Sequence, residues 1–380
     1  VKPARSPAPD FALIGHQESW NQIARIVHHL RSPDKPLLEL DTIRETVPWI
    51  PPRAIVRARN TSILNGPVHG VYVETFLTPD DLAAGSGLRR GIQKIEEAIA
   101  VAAREGARIA ALGGFTSILL EGRARRLPGP PGMALTTGNS LTAGFIVQGI
   151  ERASAMVGIP LAEASLLVIG ATGDVGSACA RYFAGRVGRL LLVARRRDRL
   201  DAFAQVLDTS GIEIRCATDT AALLSQADLV IAAASLGQAS IDLAGCRPGA
   251  VVCDAGYPKN LRPPAGGEPR IFFGGMGRAL GGWNTDSPLL DSFYSFPLPC
   301  IGHGCLLEGI VLAMERRFEP FSYGRGNITP SRIDEMLAMA ERHGVVLSPF
   351  FDHRGLWTEQ PPAVATGRAV TAFPDEAPSR

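Results

Sequence analysis

Apolar residues fall into short runs divided by glycine and proline breaks, and these runs alternate with stretches of helical period. Phe11-Ala12-Leu13-Ile14 reads as a buried strand that ends at Gly15-His16, and a helical pattern follows over 19–30. Strand-like runs recur at 54–56 and 68–76. A helix over 89–104 places Ile92, Ile95, Ile99 and Ala102 on one face, with Gly106 as its cap. The next run, 109–112, ends in Gly113-Gly114-Phe115-Thr116-Ser117, a glycine turn that lets backbone amides approach a ligand.

A loop at 127–132 precedes Thr137-Gly138-Asn139-Ser140, which opens a helix reaching about residue 158. Beyond it, apolar strands at 166–169, 190–193, 229–233 and 251–254 alternate with helical stretches, the pattern of a parallel, doubly wound sheet. The pattern over 304–318 predicts a strongly amphipathic helix, and a second helix is predicted over 330–343.

The composition is that of a globular protein: 380 residues, 46% hydrophobic and 20% charged, enough for two domains. A formal charge of +2 gives no sign of a nucleic-acid partner. The start of the sequence is polar and proline-rich, and no apolar run approaches the roughly 20 residues of a membrane span, so the expectation is a cytoplasmic protein without a transmembrane segment. Six cysteines, all from Cys179 onward, show neither disulfide-framework nor paired zinc spacing, which predicts reduced thiols and no metal.

Between the strand at 166–169 and a following helix lies Gly170-Ala171-Thr172-Gly173-Asp174-Val175-Gly176. Glycines at a strand-to-helix turn admit a pyrophosphate against bare backbone and aim helix amides at its charge. The next strand leads into Ala194-Arg195-Arg196-Arg197. Arginine forks there suit a 2′-phosphate, which favours NADPH over NADH. Asp254 and Tyr257 follow the fourth strand of this unit, where they are expected to line the nicotinamide pocket.

The predicted fold is therefore α/β, with a Rossmann-type doubly wound parallel sheet, a second N-terminal α/β substrate domain and a cleft between them. The divisions are a disordered tail at 1–10, the substrate domain at 11–137, a linker helix at 138–160, the NADPH-binding domain at 161–295, C-terminal helices at 296–358 and a disordered tail at 359–380. The C-terminal helices are expected to pack back on the substrate domain.

A dinucleotide fold does not name a reaction. No tyrosine has lysine four residues later, which excludes one common dehydrogenase pair, and Cys300-x-x-His303-x-Cys305 is only a partial zinc set. Cys305 begins the helix over 304–318, where the helix's positive end favours thiolate over thiol. Such a sulfur exchanges readily with a thioester; the alternative is an inert buried cysteine. His16, at a strand end, is a candidate proton donor or a turn cap, and Lys94 and Lys259 are candidate charges for a carbonyl-derived oxygen or solvated lysines. Asn139 and Thr142 open the linker helix, facing the cleft or capping the helix.

Several stretches, in order, carry a resemblance: Ala111 to Ser117, Thr136-Thr137-Gly138-Asn139, Val168 to Ser177, Gly256-Tyr257-Pro258-Lys259-Asn260-Leu261, and Phe321-Ser322-Tyr323-Gly324-Arg325 followed by Asn327-Ile328-Thr329. Together they make the chain similar to the long-chain acyl-[acyl carrier protein] reductases of cyanobacterial alkane biosynthesis. That resemblance implies an NADPH-dependent reduction of a fatty acyl thioester to an aldehyde. It implies Cys305 as acyl acceptor, a glutamate at Glu308 and a lysine at Lys94, and acyl carrier protein or coenzyme A as the leaving thiol. With Glu308, the turn residues Gly113, Gly114, Phe115 and Thr116 and the helix residues Asn139 and Thr142 become the expected substrate contacts. The poor solubility of a long-chain product makes an aldehyde-consuming enzyme a plausible partner. His303-Gly304 before the cysteine, Gly309 and the segment 276–291 depart from the family pattern, close to the expected acyl pocket. A hydroxy- or keto-acid dehydrogenase without a covalent intermediate, and a non-catalytic NADPH-binding partner, are the competing readings.

Overall fold

A computed structural model describes residues 7–31, 34–82, 85–121, 129–207, 211–234, 241–257, 259, 261–262, 266, 268–287, 289, 296–324 and 326–359. Both tails called disordered from sequence, the start of the loop predicted at 127–132, and Pro258, Asn260 and Arg325 lie wholly or partly outside these residues.

The first half builds one mixed sheet. Its strands are β1 (Phe11–Gly15), β2 (Arg53–Asn60), β3 (Val68–Glu74), β4 (Ile109–Leu112) and β5 (Ala134–Thr136). Its helices are α1 (Trp20–Arg31), α2 (Leu40–Thr46), α3 (Gly85–Glu105) and α4 (Phe115–Glu121). β3, β1, β4 and β5 run parallel, and β2 is antiparallel to β3. α3 buries Ile95, Ile99 and Ala102 with Ile92 against one face of the sheet, the stripe its spacing predicts. The turn predicted at 113–117 passes directly into α4.

α5 (Asn139–Met156) then crosses to the second sheet. Here β6 (Ser165–Ile169), α6 (Asp174–Phe183), β7 (Arg189–Val193), α7 (Arg197–Leu207), β8 (Glu213–Ala217), α8 (Ala221–Leu224), β9 (Leu229–Ala232), β10 (Val251–Asp254) and β11 (Arg270–Phe273) follow in turn. The order β11-β10-β9-β6-β7-β8 is wholly parallel, a Rossmann-type doubly wound sheet.

After Phe273 the chain leaves this sheet. β12 (Met276–Ala279) pairs with β14 (Ile301–His303) and β15 (Val345–Leu347), while β13 (Trp283–Thr285) joins the first sheet beside β2. The expected Rossmann boundary at 295 therefore runs past the strands that form that sheet, because 276–285 pairs elsewhere. α9 (Gly304–Met314) and α10 (Pro330–Arg342) complete the order, both packed on α5.

α9 differs from its expected amphipathic form. Leu307 to Met314 are all buried, because the helix lies between β4 and α5. Each large apolar side chain so enclosed contributes about 1.5–3 kcal/mol. One apolar cluster runs from Phe11 and Leu13 through α5, α9 and α10 to Leu166 and Val168, so both sheets share a core. Among the described residues no helix is long and apolar enough to cross a membrane.

Candidate active site

The carboxyl ends of β4, β6, β7, β9 and β10 face one cleft of about 1110 Å³. Gly170 follows β6 with φ +83°, and a Cβ there would lie 2.9 Å from the Ala234 amide nitrogen. A Cβ on Gly176 would lie 2.3 Å from the Gly170 carbonyl oxygen. These positions accept only glycine, and the bare backbone they leave suits a pyrophosphate at the amino end of α6. Gly170, Thr172, Gly173, Asp174 and Val175 line the cleft; Gly176 shapes the turn from behind.

Arg195 and Arg196, from the turn after β7, line the same cleft. Arg196 is engaged by its own loop, with Nη2 2.5 Å from the Asp198 carboxylate. Arg199, not singled out from the sequence, stands one helical turn beyond Arg195 and also lines the cleft. Its spacing from Arg195 was the available signal. These residues fit a nicotinamide dinucleotide with a 2′-phosphate.

At the other end of the cleft lies Cys305, the second residue of α9, half-buried. Burial pushes its thiol above the usual range, while N–H groups of Gly114 and Leu306 directed at the sulfur pull it back. Glu308 adds to the upward push and Lys259 opposes it. The helix end is where the sequence places it, but desolvation outweighs it in the free protein, so the expected standing thiolate is corrected to a thiol.

Lys259 donates to the carbonyl oxygens of Asp254 at 2.7 Å and Gly274 at 2.8 Å, and lines the cleft near the sulfur. His16 and Tyr257 share with Cys305 a small space beside Gly113 and Gly114. The two rings meet edge to face at 4.9 Å, with the Tyr257 hydroxyl 3.4 Å from His16 Nδ1. Burial drives His16 down to about 3, so it is a neutral imidazole at ordinary pH. His303 lines both spaces and is likewise lowered to about 3, first by burial and then by Lys259. The sequence marked His303 only as a departure from the family pattern and as part of a partial zinc set; its place two residues before Cys305 was the signal. Ser117, Ile118, Asn139 and Thr142 line the cleft as well.

Four expected contacts lie elsewhere. Lys94 is buried away from the cleft, donating to the carbonyls of Val47 and Ile50 at 3.1 and 3.0 Å, because α3 presents it to the turn after α2. The Asp254 carboxylate accepts the amides of Gly256 and Leu261, and so shapes the Tyr257 loop instead of lining the cofactor pocket. Thr116 is fully buried, its hydroxyl on the Gly113 carbonyl. Glu308 is fully buried one helical turn beyond Cys305. Phe115 begins α4, and its side chain is outside what is described. Among the described residues, Cys300, His303 and Cys305 form no metal-ligand cluster.

No protein-family model matches the chain. Over 343 residues it is 32% identical to the long-chain acyl-[acyl-carrier-protein] reductase of Synechococcus elongatus, covering 88% of this chain and 97% of that protein. It is 27% identical over 301 residues to aminotransferase PigE of a Serratia species, a match to 77% of this chain but 34% of that longer protein. Quinate dehydrogenase from Corynebacterium glutamicum in complex with NAD aligns with 64% of this chain and 78% of its own, at 12% identity and a TM-score of 0.30. Identity at the level of the Synechococcus protein, over nearly the full length of both, means that the chain belongs to the long-chain acyl-[acyl-carrier-protein] reductase family.

Proposed function

We propose that this reductase uses NADPH to convert a fatty acyl thioester, carried on acyl carrier protein or coenzyme A, to a fatty aldehyde through a thioester on Cys305. The observation that supports it is one continuous cleft lined at one end by Gly170 to Val175 and at the other by Cys305.

The Cys305 sulfur attacks the carbonyl carbon of the incoming thioester. The bond to the carrier's sulfur breaks, and the proton lost by Cys305 leaves on the carrier thiol. One thioester replaces another, so no further energy source is needed. Lys259, held by two carbonyl oxygens, supplies positive charge as the thiol ionises. The amides of Gly114 and Leu306 steady negative charge beside the sulfur, as an oxyanion hole does. His16, Tyr257 and His303 stand beside the sulfur, and a neutral imidazole there can pass a proton without carrying charge into the cleft. NADPH, when bound, would supply the hydride that takes the acyl group to the aldehyde, and a proton taken up from water returns the departing Cys305 sulfur to the thiol.

Incubation with palmitoyl-coenzyme A in the absence of NADPH tests this by intact mass. One acyl group is expected on the wild-type chain and none on Cys305→Ser. A wild-type chain that stays unmodified overturns the reading, and turnover of a hydroxy or keto acid without an adduct would replace it.

A further inference from the structure

Three stretches far apart in the chain meet behind the nucleophile on one carboxylate. Glu308 lies one turn along α9 from Cys305 and is 0% exposed. Its Oε1 accepts the hydroxyls of Thr136 and Ser322, each at 2.5 Å, and its Oε2 accepts the Leu141 amide at 2.9 Å. The Ser140 amide reaches Ser322 Oγ at 3.1 Å, and the Thr137 hydroxyl reaches the Ser322 carbonyl at 3.2 Å. Burial raises the Glu308 carboxyl, and the hydroxyls of Ser322 and Thr136 with the amides of Leu141 and Ser140 pull it back toward the carboxylate, which only accepts and so suits these neutral donors.

The turn held in this way is the one on which the nucleophile rests. Gly138 has φ +71°, and a Cβ on it would lie 2.0 Å from the Cys305 carbonyl oxygen and 2.2 Å from its Cα. Backbone therefore touches backbone at the sulfur-bearing residue. One residue on, Asn139 Nδ2 donates to Asp174 Oδ2 at 2.8 Å, and Asp174 is the first residue of α6 in the dinucleotide turn. Contacts thus run from Glu308 to the turn, and from the turn to Cys305 on one side and to the cofactor loop on the other.

We infer that Glu308 is a positioning residue: through the turn 136–141 it fixes Cys305 against the dinucleotide loop, so that the bound acyl group is reduced before water releases it. The inference rests on the acyl-enzyme proposed above. The competing fate is hydrolysis, in which water attacks the Cys305 thioester, the carbon–sulfur bond breaks, and a carboxylic acid and the free thiol result. Nothing beyond water is needed for that loss, so the ratio of aldehyde to acid reads how well the two halves are aligned.

Glu308 has a second, opposing effect that separates positioning from general stability. Its charge disfavours a Cys305 thiolate. Glu308→Gln removes that charge while turning an amide donor toward hydroxyl or amide donors, so the thiol ionises more easily and the turn loses its anchor.

The test acylates wild type, Glu308→Gln and Asn139→Ala with palmitoyl-coenzyme A, verifies the adduct by intact mass, then adds NADPH and measures palmitaldehyde and palmitic acid. Both variants are expected to acquire the adduct and to show an aldehyde-to-acid ratio at least tenfold below wild type. Iodoacetamide alkylation of Cys305 is expected to shift to lower pH in Glu308→Gln and to keep its profile in Asn139→Ala. Wild-type ratios in the acylated variants overturn the inference, as does an unmoved alkylation profile in Glu308→Gln. No adduct on wild type instead removes the acyl-enzyme itself, a distinguishable failure. Should Glu308→Gln not fold, Asn139→Ala and Ser322→Ala, which keep the carboxylate, decide the matter by the same ratio.

Discussion

A thiol raised by burial beside a lysine lowered by the same cause is a matched pair: each group resists its charge alone and accepts it with the other. At Cys305 burial thus favours the thiol. The arginines at the far end obey a different balance. Arg196 already shares its fork with Asp198, both largely exposed, and an exposed pair of this kind contributes little. Among the described residues Arg195 and Arg199 form no ion pair, so their forks are open to a phosphate. A hydrogen bond to a charged group is worth about 1.5–3 kcal/mol, so two lost contacts amount to roughly a hundredfold or more in affinity. Arg195→Ala with Arg199→Ala should weaken NADPH binding by about that factor and leave NADH binding nearly unchanged, as titration calorimetry would register. Arg196→Ala should cost less, and parallel losses for both dinucleotides would refute the phosphate assignment.

Helices and strands were legible where burial on both faces makes a run of apolar residues, as at β1, β4, β6 and β9. β8 was not, because Glu213-Ile214-Arg215-Cys216-Ala217 is a half-exposed edge strand with charges in alternation. β5 and β12 to β14 escaped notice for being three or four residues long and, in part, glycine-containing, so that pairing partners distant in sequence decide them. The place of Cys305 at a helix start and the glycine turn were readable because local geometry fixes them. Lys94 and Glu308 were misplaced because the face of a helix that a polar residue occupies depends on what that helix packs against. α9 shows how close such packing is. A Cβ on Gly309 would lie 2.8 Å from the Ala111 Cβ, so α9 rests on β4 without a side chain between them. Gly309→Ala gains about 1 kcal/mol of helix propensity against about 1–3 kcal/mol of crowding. Gly309→Val adds two methyls and lacks most of that gain. It should lower the melting temperature and slow aldehyde formation at least tenfold by moving Cys305 from the Gly114 amide, with Gly309→Ala between it and wild type. Equal rates for the three would show that α9 has room to spare.

Across the whole molecule, the space beside Cys305 is lined by side chains from both halves. His16 follows β1 in the first sheet, Tyr257 follows β10 in the second, and His303 ends β14 ahead of Cys305. The rings of His16 and Tyr257 stand 4.9 Å apart and those of Tyr257 and His303 5.7 Å apart, so Tyr257 bridges the two histidines. Both histidines fall from the ordinary 6.5 to about 3 on folding, chiefly by burial, and His303 also faces Lys259. The unfolded chain therefore binds more protons than the folded one between those values. Their contribution is constant above pH 6.5, becomes increasingly unfavourable to the fold as pH falls toward 3, and is level again below. Glu74 works in the opposite sense, since burial raises its carboxyl to about 7 and the folded state gains protons between 4.5 and 7. Total acid sensitivity thus mixes signs, and the histidine part is isolated by difference. Between pH 7 and pH 4.5 the melting temperature of wild type should fall further than that of a His16→Asn, His303→Asn chain, whose polar side chains stay uncharged throughout. Acid should also loosen the cleft first, because two new positive charges would adjoin Lys259, and proteolysis at pH 4.5 should cut wild type faster than the double variant. Identical pH dependence in the two proteins would mean that the histidines charge without disturbing the contact, and that the halves are held together by the shared apolar core alone.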